Sequence, residues 1–344
     1  MSTRIAIIGA GWYGCHLANL LSKLSFDIKL FEKSDSVFNG SSGTNQNRLH
    51  QGYHYPRSHR TRIQSRDGYI RFIERYPTLS KKIENNVYVI PRYYSSLDFQ
   101  TYKIIMASAG LEFTDVTQSI DYLNGIEGAL RCEERLILTD KAKQYFTDKL
   151  QHCLVLNKEV SLTDIRCGEI DGETFDYFID CTWGRLSDFK RELFFEKTIQ
   201  LNYRVRPGAS FSSALTFVDG DLFSLFPTEN DGMYTLTHVS HTPVSVFSNP
   251  DEFDHEVSEE IVTQCRSSME RDMQRHFAQF PEYFEYQGYD ISMKTKVRDD
   301  SDDRSCYIER DGNVIKVLSG KIDTIFYASE KVLSILTEQE TAEL

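Results

Sequence analysis

The sequence predicts an α/β fold: a Rossmann-type nucleotide-binding domain on a parallel sheet, with an antiparallel-sheet domain inserted into it. Three observations carry this reading. The apolar run Arg4-Ile5-Ala6-Ile7-Ile8 enters a glycine-rich turn, Gly9-Ala10-Gly11-Trp12-Tyr13-Gly14, and then a helical pattern. A long polar segment without acids follows the second strand, between Ser41 and Arg66. From about Gln200 to Val246 the pattern becomes short apolar alternations with turn signals, as in antiparallel hairpins.

The first element is a strand of the kind that is buried on both faces of a parallel sheet. The G-x-G-x-x-G turn after it is the dinucleotide fingerprint in its proper context. Gly9 permits the tight turn, Gly11 lets the backbone approach a pyrophosphate, and Gly14 lets the helix pack close to the strand. Leu17, Leu20, Leu21 and Leu24 fall on one face of the helix, whose N-terminus offers free N–H groups to phosphates. The second strand, Ile28-Lys29-Leu30-Phe31, ends on Glu32, eighteen residues past Gly14 and placed for a ribose hydroxyl.

Composition excludes several classes. The chain has 344 residues, 40% of them hydrophobic, which suffices for one large or two moderate domains with proper cores. A net charge of −12 argues against a general nucleic-acid binder. No run of apolar residues is long enough to span a membrane, and the N-terminus lacks a signal-peptide layout. The seven cysteines are scattered without a C-x-x-C pair, so we expect reduced thiols in a cytoplasmic protein, and no metal site. The acids Asp299, Asp300, Asp302 and Asp303 read as an exposed loop, since their spacing lacks a calcium-loop pattern.

Between Ser41 and Arg66 stand Arg48, Arg57, Arg60, Arg62, Arg66, His50, His54 and His59, with no Asp or Glu. In an acidic protein this excess reads either as a solvated basic loop and helix or as a pocket wall facing an anion.

Within that stretch, Ser42-Gly43-Thr44-Asn45-Gln46-Asn47-Arg48-Leu49-His50-Gln51-Gly52 resembles the second flavin-contacting segment of the D-amino-acid oxidase superfamily. That superfamily tends to read S-x-x-N-S-G-x-I-H-x-G there. The match holds at Ser42, Asn45, His50 and Gly52 and departs at Gln46, Asn47 and Arg48. The resemblance implies a glutathione-reductase-like FAD-binding domain with FAD, rather than NAD, as cofactor. A flavin stays bound between turnovers, so the protein can wrap it with such a segment. It also implies that Ser41 and Ser42 lie near the pyrophosphate and that Asn47, Arg48, Leu49 and His50 pass beside the isoalloxazine. In some relatives the residue matching His50 is bonded to the flavin. The changes at Asn47 and Arg48 lead us to expect a non-covalent cofactor here. Trp12, Tyr13, Lys33 and Val160 complete this part of the expected cofactor site.

Further along, Thr61 to Tyr76 reads as a helix stopped by Pro77, and Asn86 to Ile90 as a strand closed by Pro91. Ser96 to Ala109 reads as a helix ending at Gly110, Thr139 to Leu150 as another, and Cys153 to Leu156 as a strand. Phe175 to Cys181 is a strand ending in Thr182-Trp183-Gly184, which resembles the family's small-residue turn near the cofactor. Asp231-Gly232 marks a hairpin between Leu222–Phe226 and Met233–Val239. Asp254 to Phe277 reads as a charged helix, and the aromatics from Phe280 to Tyr289 as core packing or an interface. Asn313 to Leu318 is a buried strand, followed by Gly320, Lys321, Ile322, Asp323 and Thr324 and a closing helix to Leu336. The resemblance places that last turn at the flavin pyrimidine edge. It suggests residues 1–87, 137–198 and 305–344 for the FAD domain, with 88–136 and 199–304 as a substrate domain.

The candidate catalytic groups are His50, Lys321, Arg298 and His238. Lys321 would support negative charge on reduced flavin, and Arg298 resembles a family arginine able to clamp a carboxylate. Strand alternation would put His238 and His241 on opposite faces, so that at most one meets the flavin. The resulting expectation is an FAD-dependent oxidase or dehydrogenase acting on a CH–NH or CH–OH bond of a small polar, anionic substrate. Amino acids, hydroxy acids and amino sugars fit, and a non-redox flavoprotein or a binding module without turnover is the alternative. Oligomeric state is not legible.

Overall fold

The computed structural model describes residues 2–220, 223–298 and 305–338. Its organising strand is Arg4–Ile8, where Ile5, Ala6 and Ile7 are fully buried because both faces of the sheet are covered. It pairs in parallel with Asp27–Phe31 on one side and Tyr177–Asp180 on the other. Leu154–Val155 and Val314–Leu318 extend the sheet in parallel, and Tyr307–Asp311 closes one edge antiparallel, giving six strands. One face is covered by the helices Trp12–Leu21, Thr139–Leu150 and Ile325–Glu338, which bury Leu17, Leu21, Phe146 and Val332. Phe31, Val160, Ile165 and Phe175 form the smaller core on the other face. The α/β prediction therefore holds.

The second sheet has nine strands among the described residues. Its spine is Leu193–Val205, paired along its whole length with Phe284–Val297 and on its other edge with Pro243–Phe247 and Met233–His238. Phe223–Pro227, Ser213–Phe217, Asn85–Pro91, Ile126–Cys132 and Phe113–Asp115 continue it. All its pairings are antiparallel apart from Asn85–Pro91 with Ser213–Phe217. The helix Glu259–His276 covers its outer face, burying Met269 and Met273. A three-stranded sheet of Arg48–Leu49, Arg135–Ile137 and Ser80–Lys82 completes the described β structure around the site.

Several details differ from the sequence reading. The first helix stops at Leu21, so Leu24 is 44% exposed and joins no helical face. The long charged helix starts only at Glu259, because Ser258 accepts from Ile261 N and caps it there. The fourteen-residue strand Phe284–Val297 takes over half of the aromatic stretch: Phe280 and Phe284 are core, whereas Tyr289 is exposed. The domain boundaries expected after residues 87, 136 and 198 fall inside the strands Asn85–Pro91, Arg135–Ile137 and Leu193–Val205. We propose the same two-domain division with those boundaries moved ahead of Asn85, Arg135 and Leu193. The acids at 299, 300, 302 and 303, and Leu222, lie outside the described residues. All seven cysteines are free thiols, and among the described residues no helix is long and apolar enough to cross a membrane.

Candidate active site

A cavity of about 1310 Å³ lies between the two large sheets, at the carboxyl ends of the parallel strands, where Ile8, Phe31, Cys181 and Leu318 reach its wall. Open α/β sheets place ligands at this edge. The glycine turn forms part of the floor. Gly9 has φ +96°, and a Cβ on Gly14 would stand 1.9 Å from the Gly9 carbonyl oxygen, so helix and turn touch backbone to backbone. A Cβ on Gly11 would meet Ser42 Oγ at 2.8 Å. Ser42 Oγ itself accepts from Trp12 N at 3.1 Å, and Ser41 Oγ donates to the Met293 carbonyl at 2.6 Å. The polar segment is thereby tied to the fingerprint on one side and to the nine-stranded sheet on the other. Glu32 accepts from Ala10 N and Ser34 N at 2.8 and 3.0 Å, which fixes the carboxylate at the end of its strand.

Lys33, Val160, Tyr13, Thr182 and Trp183 also line the cavity. Trp12 meets it only at the backbone end, because its indole is buried against Phe38, with ring centroids 4.9 Å apart, and against Phe72 and Phe146. Gly14, Leu49, Gly184, Asp323 and Thr324 are absent from the cavity wall. Leu49 is core, and Gly184, at φ +79°, packs against Leu193. Thr324 hydrogen-bonds Tyr13 Oη at 2.6 Å, so it holds a wall residue rather than forming the wall. The Asp323 carbonyl lies where a Cβ on Gly68 would be, 1.6 Å away, which locks the helix His59–Arg75 onto this turn.

The basic stretch divides by role. Arg62 donates to the carbonyls of Tyr55 and Pro56, and Arg66 to that of Ala109, so these two arginines hold loops. Arg57 pairs with Asp219 at 2.6 Å. Arg48, His50, His54 and Tyr55 reach the cavity. Behind them stands Glu134, fully buried, which no sequence signal singled out beyond its being an acid between two apolar strands. It accepts from Tyr88 Oη at 3.0 Å, Arg48 Nη2 at 3.2 Å and Gln51 N at 3.3 Å, and His50 Nδ1 lies 3.4 Å away. Burial alone would push the Glu134 carboxyl up, but hydrogen bonds from His50, Arg48 and Tyr88 and the charge of Arg48 override it and hold the group below the usual carboxylate range. Burial pushes the His50 imidazole down; Glu134 opposes this, whereas Arg48 and Lys321 add to it. Lys321 is only 8% exposed, its Nζ 3.3 Å from Ser65 Oγ and 3.3 Å from the centre of the Tyr55 ring. Gly320 and Ile322 flank it on the wall.

The other two catalytic candidates, His238 and Arg298, also line the cavity. His238 ends its strand, and a turn brings His241 back, so both imidazoles converge on Asp272 of the helix Glu259–His276 instead of diverging. The Nε2–Oδ2 distances are 3.5 and 3.0 Å. His238 Nδ1 accepts from Ser240 N at 3.1 Å, which leaves the proton on Nε2 to face Asp272. Thr235 and Thr237, two residues apart and so on one face of the strand, join the hydrogen-bond network of Ser224 and Gln46. Arg298 borders the cavity, and its guanidinium pairs with Glu192 at 2.8 Å in an exposed ion pair.

The N-terminal part of the chain, residues 4–123, matches the family model described as FAD dependent oxidoreductase. An FAD-dependent monooxygenase of Fusarium mangiferae is 41% identical over 97% of this chain and 91% of its own length. The chain belongs to the FAD-dependent oxidoreductase family. An FAD-dependent monooxygenase of Aspergillus flavus is 27% identical over 97% of the chain and 86% of its own length. In fold, this oxidoreductase is similar to glycine oxidase from Geobacillus kaustophilus, with a TM-score of 0.74 at 13% identity over 98% of this chain and 95% of that one. It is also similar to L-alpha-glycerophosphate oxidase from Mycoplasma pneumoniae with FAD bound, with a TM-score of 0.71 at 13% identity over 98% of this chain and 95% of that one.

FAD is the cofactor of this oxidoreductase, and the residues present fit it. The glycine cradle has no room for a side chain at Gly14, Glu32 is fixed at the strand end, and Asn47 Oδ1 is buried at the cavity wall with no hydrogen-bond partner among the described residues. An acceptor left in that state suits a ring N–H. Gly9, Gly11, Glu32, Ser41, Ser42 and Thr182 would hold the adenosine and pyrophosphate portions, and Asn47, His50 and Lys321 the ring.

Proposed function

We propose that this FAD-dependent oxidoreductase oxidises the CH–OH bond of a small anionic hydroxy compound, with His50 and Lys321 as the groups that meet the substrate. When bound, FAD supplies the two-electron acceptor. The observation that carries the reading is Lys321, an ammonium on the cavity wall beside neutral His50. It hydrogen-bonds Ser65 Oγ and has no ion pair among the described residues, while the acids nearby are engaged: Glu134 with Arg48, Asp219 with Arg57, and Glu196 with Lys296 at 2.7 Å. A substrate ammonium would be repelled by Lys321, whereas a carboxylate or a developing alkoxide would be attracted to it. His50, neutral near pH 7 because burial holds it down, can accept the hydroxyl proton. The low exposure of Lys321 makes its charge effective, since water screens it little.

A second reading has its own support. The two relatives named above are described as FAD-dependent monooxygenases, and insertion of one oxygen atom into an electron-rich anionic substrate fits the same Lys321 charge. One experiment separates the readings. The yellow holoenzyme is mixed without dioxygen with amines, amino acids, hydroxy acids and amino sugars in turn. Bleaching by hydroxy acids alone supports dehydrogenation. If substrate conversion instead requires dioxygen together with a two-electron donor such as NADH or NADPH, and puts labelled oxygen from dioxygen into the product, monooxygenation is the activity. Bleaching by amines would overturn the substrate class. A holoenzyme that converts nothing in either format would return the chain to a binding role. We keep a cytoplasmic location as part of this proposal.

A further inference from the structure

Arg48 and Glu134 form an ion pair whose side chains are 4% and 0% exposed. Burying two charges is expensive, and a pair of well-packed apolar side chains is often as stable or more so. The pair therefore asks for a reason beyond stability. Its setting supplies one. The guanidinium is stacked over Phe226 at 4.4 Å and hydrogen-bonds Tyr88 Oη at 2.9 Å, so it cannot swing away. Glu134 is in turn held by Arg48, Tyr88 and the Gln51 backbone, and the side of it that remains faces His50 Nδ1. An ionised carboxylate can only accept, so the hydrogen between it and the imidazole belongs to Nδ1. His50 Nε2 then carries the lone pair, has no protein partner among the described residues, and belongs to a side chain on the cavity wall.

We propose that Glu134 is a positioning residue that holds the proton of neutral His50 on Nδ1, so that Nε2 is presented to the substrate as a base. Arg48 keeps Glu134 ionised and in place. In the step this serves, the substrate O–H bond breaks, an N–H bond forms at Nε2, and the imidazolium that results faces the carboxylate of Glu134 through its unchanged Nδ1–H. The charge that passes to the substrate oxygen is met by Lys321. This assignment rests on the reading of His50 as the base for a hydroxyl, and it adds which nitrogen acts and which residues fix it.

The test is the histidine nitrogen spectrum of holoenzyme labelled with ¹⁵N-histidine, with the His50 signals identified by their loss in His50→Asn. Wild-type His50 is expected to show a protonated Nδ1 and an unprotonated Nε2 at neutral pH. Glu134→Leu alone strands a buried arginine and is expected to lower Tm or fail to fold. Arg48→Met combined with Glu134→Leu removes both charges and is expected to recover Tm and FAD content while the Nδ1–H signature at His50 is lost. A purely structural ion pair would leave that signature unmoved in the double variant. An Nδ1–H that survives in the double variant overturns the proposal, as does a wild-type His50 protonated on Nε2. Should the double variant yield no holoenzyme, the wild-type spectrum decides alone. A holoenzyme that no hydroxy acid bleaches would sink the substrate reading and leave this proton assignment standing.

Discussion

The Lys321 ammonium sits 3.3 Å from the centre of the Tyr55 ring, which joins the turn before the closing helix to the basic segment that precedes the helix His59–Arg75. A lysine at a helix start opposes the helix dipole unless an anion stands nearby. Here it is buried at a cavity wall, so its charge is directed at whatever the cavity holds. Lys321→Met is expected to lower the flavin midpoint potential by roughly 20–40 mV, the equivalent of about 1–2 kcal/mol for a two-electron couple. The fold and FAD content should survive. Spectroelectrochemical titration of both proteins checks this, and an unchanged potential in an FAD-loaded variant would remove Lys321 from the site.

The glycine turn yields a graded prediction. Gly14→Ala forces a Cβ to 1.9 Å from a backbone oxygen that cannot rotate away, so the variant should lose FAD and much of its stability. Gly11→Ala meets only the hydroxyl of Ser42, which can rotate, and should retain flavin. Gly11→Val is expected to empty the site by filling the approach to the pyrophosphate. The ratio of visible flavin absorbance to protein absorbance, measured after purification, ranks the three.

His16 predicts the acid behaviour of the fold. It is buried in the first helix, hydrogen-bonded to Tyr76 Oη at 2.7 Å and 3.3 Å from Ser329 Oγ. Burial, with help from Arg75 and Arg71, lowers its imidazole from 6.5 to about 3. Between those values the unfolded chain binds a proton that the native chain refuses, so stability falls as pH falls. The contribution is complete above 6.5 and is lost towards 3, with a limiting slope of about 1.4 kcal/mol per pH unit. His16→Leu should flatten that slope at the cost of a lower plateau. Urea unfolding at a series of pH values measures both.

Asp272 is expected to matter for stability and little for the cofactor. It gathers His238, His241 and Arg275, the last at 3.1 Å, and so clasps a hairpin turn to the covering helix. Asp272→Ala should cost about 1–3 kcal/mol, the usual penalty for stripping a partner from partly buried polar groups. FAD content should remain near wild type. Chemical denaturation followed by both tryptophan and flavin signals would show it.

What was legible in the sequence was mostly local. The Arg4–Ile8 strand, its turn and the Asp27–Phe31 strand were readable because fingerprint, periodicity and terminal acid lie within one short βαβ unit. The helix Thr139–Leu150 was read to the residue for the same reason. Glu134 was not readable as part of the site: its partner Arg48 lies 86 residues away, and only the pairing of Arg48–Leu49 with Arg135–Ile137 brings them together. The convergence of His238 and His241 was missed because alternation stops counting where a strand ends, and that strand ends at His238. The strand Phe284–Val297 was hidden by its aromatics, which look alike in a core and in an edge. Its identity is set by pairing with Leu193–Val205, about ninety residues upstream.

The proposed preference for a hydroxy substrate rests on the Lys321 ammonium beside neutral His50. Matched pairs that differ only in the reacting group test it most directly: glycolate against glycine, and lactate against alanine, extended to longer skeletons. Each is mixed with yellow holoenzyme in the absence of dioxygen, and the visible flavin band is followed in a stopped-flow instrument. Bleaching, wherever a skeleton supports it, is expected from the hydroxy member, and Lys321→Met is expected to slow it. Bleaching by the amino members, with the hydroxy members silent on the same skeletons, would contradict it.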